Sequence, residues 1–306
     1  MTTVLYLAGA GRSGGTLIGK VLGQHPQLLY AGEVRELWTP GLLADRLCGC
    51  GERLMDCAFW QTVFASAYGG LTCEDAEWMC AMRLRYTRTR QALRWLRSTN
   101  RPRELEVFAE RLERLYVALR AVGGRPVLVD ASRLPTYGRL LQHIPSIDLR
   151  VVHLIRDARA VAFSWGRRRT GQTARRTVAL PRKALWRASA EWLVQNWLTE
   201  RFWGAQPARY YRLRYEDFVA QPRREMIRLL RWLGCDEGDL GFVQGTTVHL
   251  GVAHSAAGNS YRLLTGPTQL VLDDEWRYEI PQHIQSLIKL LTLPLLRRYN
   301  YLQLNS

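Results

Sequence analysis

Val4-Leu5-Tyr6-Leu7-Ala8-Gly9-Ala10-Gly11-Arg12-Ser13-Gly14-Gly15-Thr16-Leu17 is the stretch that decides how this chain folds. An apolar run stops at a cluster of glycines, and a helix-forming segment follows. A short uninterrupted apolar run reads as a strand buried on both faces, here residues 3–8. The helix expected after it covers residues 16–24 and closes at Gln24-His25-Pro26, because proline pushes the preceding residue out of the α region. Strand, glycine turn and helix N-terminus together aim backbone N–H groups and a helix dipole at one spot. Such a spot suits a phosphate or a similar anion.

Working outward, residues 28–30 read as a second strand and residues 33–43 as a helix. Residues 46–57 are irregular and hold three cysteines. Two helices are expected within residues 74–121, hinged at Arg101-Pro102. The first shows Met79, Met82, Tyr86, Leu93 and Leu96 on one face. The second shows Leu105, Phe108, Leu112, Leu115 and Leu119 at alternating steps of three and four. Arginines cover the remaining faces, so a charge-decorated hairpin is predicted. Strand signals return at residues 127–130, 149–155 and 208–214, each ahead of a helical pattern. Strands alternating with helices predict an α/β fold, a central parallel β-sheet flanked by helices. Residues 166–183 read as a basic mobile loop and residues 246–261 as a Gly/Ser/Thr/His loop. Neither a repeat nor a linker interrupts the 306 residues. One domain over 1–306 is therefore expected, with helical insertions near 46–122.

Composition sets wide limits. The chain carries 43 Lys+Arg against 27 Asp+Glu, a formal charge of +16. Such a field attracts anions of any kind, from nucleic acid to a polyphosphate cofactor. Only Lys20, Lys183 and Lys289 are lysines, so the excess is almost all arginine and looks compositional. The N-terminus lacks a basic segment ahead of its apolar run, and no apolar run is long enough to span a bilayer. Six cysteines without an export signal suggest reduced thiols. A cytoplasmic protein without stable membrane insertion is expected.

The glycine turn admits three readings. As a phosphate loop of the G-x-x-x-x-G-K-[ST] type it fails at one position, since Gly15 stands where the lysine that reaches the β- and γ-phosphates should be. As a dinucleotide fingerprint, Gly9, Gly11 and Gly14 fit G-x-G-x-x-G, and Glu33 falls near the place of the ribose-binding acid. That reading leaves Arg12-Ser13 unused. The third is an anion loop that replaces the lysine with Arg12 and suits a phosphosulfate without a metal.

The third reading reaches a family. Arg12-Ser13-Gly14-Gly15-Thr16-Leu17, then His25-Pro26, then Gly32-Glu33-Val34-Arg35, resembles the opening of sulfotransferases that use 3′-phosphoadenosine-5′-phosphosulfate (PAPS). In spacing it is most similar to the tyrosylprotein sulfotransferases and related bacterial enzymes. Their loop reads R-S-G-T-T, so Gly15 here lacks a hydroxyl. The segment 151–159, with Arg156 at a strand end and Ser164 further on, resembles the family's 3′-phosphate site. Taken alone, Arg156 reads better as a strand-end arginine paired with Asp157 or a neighbouring carboxylate; the loop motif upstream turns the reading toward the phosphate site. Asp130-Ala131-Ser132-Arg133 resembles D-x-S-[KR], whose basic residue faces the sulfuryl group. Arg214-Tyr215-Glu216-Asp217 resembles the segment whose tyrosine lies near the adenosine, and Gly258-Asn259-Ser260-Tyr261-Arg262 a late loop over the 3′-phosphate.

The resemblance implies a P-loop-kinase-like architecture and sulfuryl transfer from PAPS to an acceptor hydroxyl. It implies Glu33 as general base, with Arg12 and Arg133 stabilising developing charge. Donor contacts are expected from Arg12, Ser13, Gly14, Gly15, Thr16, Leu17, Arg156, Ser164, Tyr215, Asn259 and Arg262. The acceptor would be a small molecule or carbohydrate. Two other classes stay open: a basic nucleic-acid-binding protein, although no module signature supports it, and an NAD(P)-dependent enzyme built on the glycine turn.

Cys48-Gly49-Cys50 and Cys57, with Cys73 and Cys80 beyond, lack the paired C-x2–4-C spacing of zinc sites and have no histidine near in sequence. A loop packed around thiols, or an adventitious disulfide, is expected, with no metal. Trp38 and Trp165 adjoin site motifs and are expected to line an acceptor pocket. Trp192 is expected in the core.

Overall fold

The computed structural model describes residues 1–38, 46–97, 102–168, 170–172, 177–179 and 181–302. Its centre is β1 (Thr2–Ala8), which pairs in parallel on both sides: Val4 faces Leu128 of β3 (Val127–Arg133), and Tyr6 faces Val151 of β4 (Ile147–Ile155). The other two members of the five-stranded parallel sheet are β2 (Leu28–Gly32), beside β3, and a strand at Tyr210–Arg214, beside β4. Two-sided burial explains why β1 reads as a continuous apolar run. Val4, Tyr6 and Ala8 join one apolar layer, Leu5 and Leu7 the other, as the period of two requires.

Spatially the strands run second, third, first, fourth, fifth. This order removes one reading of the glycine turn. A dinucleotide-binding sheet sets its second strand beside the first, so that the acid ending it meets the ribose. Here β3 lies between them, and Glu33 ends a strand two positions from β1.

One face is covered by α1 (Gly15–Leu22) together with helices Tyr215–Ala220 and Pro222–Leu233. The other carries α2 (Ala58–Tyr68), α3 (Cys73–Tyr86), α4 (Ala92–Arg97), α5 (Arg103–Gly123) and α6 (Pro135–Gln142). All five residues foreseen on the inner face of α5 are buried, each worth about 1.5–3 kcal/mol relative to exposure. The expected hairpin is not the arrangement found. α5 packs chiefly on α2, an element hidden in sequence because Cys57, not a polar residue, sits at its N-cap. Leu93 and Leu96 belong to a separate helix after a break at residue 87, and Leu93 is exposed.

Other differences are local. Residues 34–38 form a single 3-10 turn, where a helix over 33–43 was expected; residues 39–43 and Arg101 lie outside the described residues. The basic segment contains a small antiparallel hairpin, β5 (Thr170–Gln172) with β6 (Thr177–Ala179); the rest of it is partly outside the described residues. Counting the strand at 210–214 as β7, β8 (Val243–Gln244), β9 (Thr247–Leu250) and β10 (Gly266–Gln269) make a second antiparallel sheet. β9 occupies part of the segment expected to be loop. No helix among the described residues is long and apolar enough to cross a membrane.

Candidate active site

The carboxyl ends of β1, β2, β3 and β4 open onto a cavity of about 200 Å³. Its lining includes Arg12, Ser13, Gly14, Gly15, Thr16, Glu33, Arg133, Trp165 and Asn259. Crevices at this end of an open α/β sheet are where such folds bind ligands.

The glycine turn is shaped by close approaches. Gly14, at φ +94°, caps α1, and a Cβ there would meet the Tyr215 ring at 2.4 Å. The turns after β1 and β3 are joined by the Gly9 N–H donating to the Arg133 carbonyl at 3.0 Å. Arg12 and Arg133 both hold left-handed backbone, φ 72° and 59°. For residues with a Cβ this costs about 1–2 kcal/mol each. Two such arginines facing one cavity mark it as the working end of the fold.

Glu33 follows Gly32, whose φ of +83° and lack of a side chain admit the 255–258 segment; a Cβ would lie 2.8 Å from both Ala256 N and Ala257 O. The Glu33 N–H donates to the Ala257 carbonyl. Its side chain, 14% exposed, accepts from Arg133 at 2.8 Å. Arg12 lies on the Trp165 ring at 4.8 Å, with the Lys183 ammonium 3.9 Å from that ring's centre. Two arginines and one carboxylate therefore line one small space, with Lys183 held against Trp165 and paired with Glu191.

Arg156, Tyr215 and Ser164 lie along the β4 flank, outside the cavity wall. The Arg156 guanidinium covers the Tyr215 ring at 4.7 Å, donates to the Arg12 carbonyl at 3.2 Å and pairs with Asp273 at 3.2 Å. Its carboxylate partner is thus Asp273; Asp157 pairs with Arg159 at 2.7 Å. Ser164 is buried on α7 (Ala158–Gly166). Leu17 belongs to the apolar layer under α1. Asn259 joins the first turn of α1, its N–H donating to Thr16 Oγ1 at 3.3 Å. Arg262 takes the opposite flank from Arg156 and donates to the Leu47 carbonyl at 2.6 Å.

Two of the buried side-chain polar atoms that lack a hydrogen-bond partner lie beside the glycine turn. Ser13 Oγ and Arg156 Nε are both buried and unsatisfied. Leaving such groups unpaired costs about 1–3 kcal/mol each, so their presence beside an anion loop points to a ligand.

Family and geometry agree. Residues 5–239 match the sulfotransferase family model. The chain belongs to that family. The fold is also that of the sulfotransferase domain from the curacin biosynthetic pathway: TM-score 0.50, 18% identity, 94% of this chain and 98% of that one. The sulfotransferase domain of the Synechococcus PCC 7002 olefin synthase aligns over 96% of this chain and 94% of its own, at 19% identity and TM-score 0.48. No curated protein matches. Within this sulfotransferase, several supporting residues had no sequence signal. Gln195, from the helix Leu185–Trp203 (α8), accepts from the Gly11 N–H at 3.3 Å. Lys20, buried on α1, donates to the carbonyls of Arg262 and Leu264, and burial then Arg262 bring it down to about 8. Asp130 is wholly buried and accepts from Ser132, Val34 and Tyr116; burial raises it to about 6 against those hydrogen bonds. It fixes the turn that presents Arg133.

Trp165 stands in the wall of the cavity floored by the glycine turn, and Trp192 is in the core as expected. Trp38 is not among the residues lining that cavity. It is buried edge-on against Tyr68, because the 3-10 turn after Glu33 rotates it inward. The cysteine turn also departs from expectation: His254, about two hundred residues away in sequence, brings Nδ1 within 3.2 Å of Cys57 Sγ.

Proposed function

We propose that this sulfotransferase takes its sulfuryl group from PAPS and transfers it in line to an acceptor hydroxyl, with Glu33 as general base. The observation that carries the proposal is the convergence of Glu33, Arg12 and Arg133 on the cavity floored by the glycine turn. The residues fit the donor. The loop N–H groups and Thr16 at the helix N-terminus suit a 5′-phosphosulfate, and the unsatisfied Ser13 hydroxyl and Arg156 Nε offer donors.

Transfer makes one bond and breaks another. The acceptor oxygen bonds to sulfur while the bond from sulfur to the phosphate-bridging oxygen breaks, and 3′-phosphoadenosine 5′-phosphate (PAP) leaves. The acceptor proton passes to a Glu33 carboxylate oxygen. Loose transfers of this kind are promoted mainly by positioning and by charge at the leaving oxygen. Arg12 beside the loop and Arg133 beside Glu33 supply that charge. The Arg133 pair also holds the Glu33 carboxylate in one orientation.

Calorimetric titration with PAP, AMP, ATP and NADH tests the reading. PAP binds more tightly than AMP by at least tenfold, and Arg156→Ala removes the preference. Equal affinity for PAP and AMP would mean that the 3′-phosphate has no partner, and the reading would fall.

A further inference from the structure

The cysteine turn carries chemistry that sulfuryl transfer does not use. Cys48, Cys50, Cys57 and His254 place their four ligand atoms within 4.8 Å of one another. Cys57 Sγ lies 3.2 Å and Cys48 Sγ 3.9 Å from His254 Nδ1, and Cys50 Sγ lies 3.7 Å from Cys57 Sγ. A disulfide needs sulfurs about 2.05 Å apart. A tetrahedral zinc ion with bonds of about 2.3 Å to sulfur and 2.0–2.1 Å to nitrogen sets S···S at about 3.8 Å and S···N at about 3.6 Å. The 3.7 Å between Cys50 and Cys57 Sγ matches the metal, and the two sulfur–nitrogen separations, 3.2 and 3.9 Å, bracket its value.

The backbone is built to present these atoms. Cys48 N–H donates to the Glu52 carbonyl at 2.8 Å and Gly51 N–H to the Cys48 carbonyl at 3.0 Å, closing a tight hairpin in which Gly51 takes φ +95°. Cys57 occupies the N-cap of α2 yet makes no capping bond, so its sulfur is free to turn toward the other three. The His254 ring is held by stacking on Phe59, 5.0 Å between centroids and 13° from parallel, and its carbonyl accepts from Trp60 at 3.1 Å. Three thiolates, one neutral imidazole and one dication leave a charge of −1, and the buried Arg262 is close enough to feel Cys48 and Cys50 electrostatically.

The geometry points to a structural zinc site formed by Cys48, Cys50, Cys57 and His254, which clamps the segment 253–262 onto the back of the active site. Zinc binding releases the three thiol protons to solvent, with no redox step. Three cysteines plus one histidine, largely buried, make a closed set with no position for water. Its reach follows from the contacts. Gly49 packs so tightly on the 253–255 segment that a Cβ would lie 2.3 Å from Ala253 O, and its N–H donates to the Ser255 carbonyl. The next residues bond Ala31 and Glu33, and Arg262 reaches back to Leu47. That clamp on Glu33 and on the donor loop rests on the function proposed above; the metal does not.

The test uses the full chain, purified under reducing conditions without chelator. Elemental analysis gives about one zinc per chain, and cobalt(II) added to zinc-depleted protein gives thiolate charge-transfer and tetrahedral d–d bands that saturate at one equivalent. Cys50→Ser, at the least buried of the three sulfurs, weakens zinc by at least tenfold to a hundredfold and weakens PAP binding severalfold. Less than a tenth of an equivalent of zinc with no cobalt bands and all thiols reduced overturns the site. A Cys50–Cys57 disulfide found by peptide mapping in protein kept under reductant overturns it as well. Should Cys50→Ser not fold, the wild-type zinc and cobalt measurements still decide. Zinc bound with no PAP affinity upholds the site and sinks the donor reading instead.

Discussion

The glycine turn at residues 9–16 and the cysteine turn at residues 48–57 both bear on Glu33, and they are held by different physics. The first is backbone: glycines let N–H groups, a helix end and an aromatic ring come close, and few side chains decide its shape. The second is side chain: three sulfurs, an imidazole and an arginine meet from segments about two hundred residues apart. A site made of backbone is sensitive to a Cβ wherever the chain makes a close approach, as at Gly9 and Gly14, and more tolerant of side-chain exchange. A site made of side chains behaves the other way round. Glu33 sits between them, its position set by backbone and its work done by a carboxylate.

The largest effect is therefore expected from changing the carboxylate alone. Glu33→Gln keeps the shape and the Ala257 contact but removes the base, and turnover falls by about 10²- to 10⁴-fold. PAP affinity, read by calorimetry, stays within about threefold. Turnover within tenfold of wild type would leave Glu33 as a mere partner of Arg133.

Next comes the side-chain scaffold behind it. Glu36 is clamped by Arg35 and, at 2.6 Å, by Arg83, all three largely buried. Burial pushes the Glu36 carboxyl up, but Arg35 and Arg83 outweigh it and bring it to about 2 from the ordinary 4.5. A carboxylate depressed in the fold contributes stability that is present above pH 4.5 and is lost as pH falls toward 2, about 3 kcal/mol in all. Burial meanwhile opposes the charge on Arg35, so the cluster as a whole is worth less than Glu36 alone suggests. Removing one member leaves two buried cations facing each other. Glu36→Gln should cost about 3–5 kcal/mol in urea unfolding at pH 7 and flatten the acid limb of stability between pH 4.5 and 2. An unchanged acid limb would show that Glu36 is not the group titrating there.

The backbone site is probed by Gly14→Ala. The added Cβ meets the Tyr215 ring and sits at φ +94°, a strain of about 1–3 kcal/mol. Stability falls by that amount, and PAP binding weakens because the ring must move. Ser13→Ala leaves the backbone alone and removes an unpaired buried hydroxyl, so it should raise the stability of the unliganded protein by about 1–3 kcal/mol while still weakening PAP. Equal stability losses for the two variants would erase the distinction between the regions.

The same distinction explains what was legible in the sequence. The strand, turn and helix at residues 3–24 are contiguous, and their apolar run, glycines and His25-Pro26 report backbone geometry directly. Glu33, Arg12 and Arg133 were singled out through the family resemblance, and the parallel order of one sheet brings their turns together at one cavity. The pairing of Arg156 with Asp273 was not legible, since a strand-end arginine reads the same with any nearby acid. Nor was the inward rotation of Trp38, which depends on a 3-10 turn that apolar periodicity does not distinguish from a helix. His254 was illegible as a partner of the cysteines for the plainest reason. Ligand spacing rules address ligands on one short segment, and here the fourth arrives through β9 and the turn after it.

Gly15 gives the finest test, because there the two kinds of site can be exchanged. It opens α1 with ordinary helical space around it: a Cβ would touch only Ala131 at 3.8 Å and Leu154 at 4.0 Å. Nothing in the backbone demands glycine, and the resemblance to R-S-G-T-T loops places a threonine hydroxyl at this point. Gly15→Thr should fold, with stability up by about 0.5 kcal/mol from the lost glycine entropy less the β-branched penalty. One added hydroxyl hydrogen bond to an anion should tighten PAP by roughly threefold to tenfold. Gly15→Ala supplies the stability without the hydroxyl and separates the two effects. Weaker PAP binding in the threonine variant, with alanine neutral, would mean that the anion already fills the space beside Gly15, and that here the backbone N–H groups have taken over the missing hydroxyl's part.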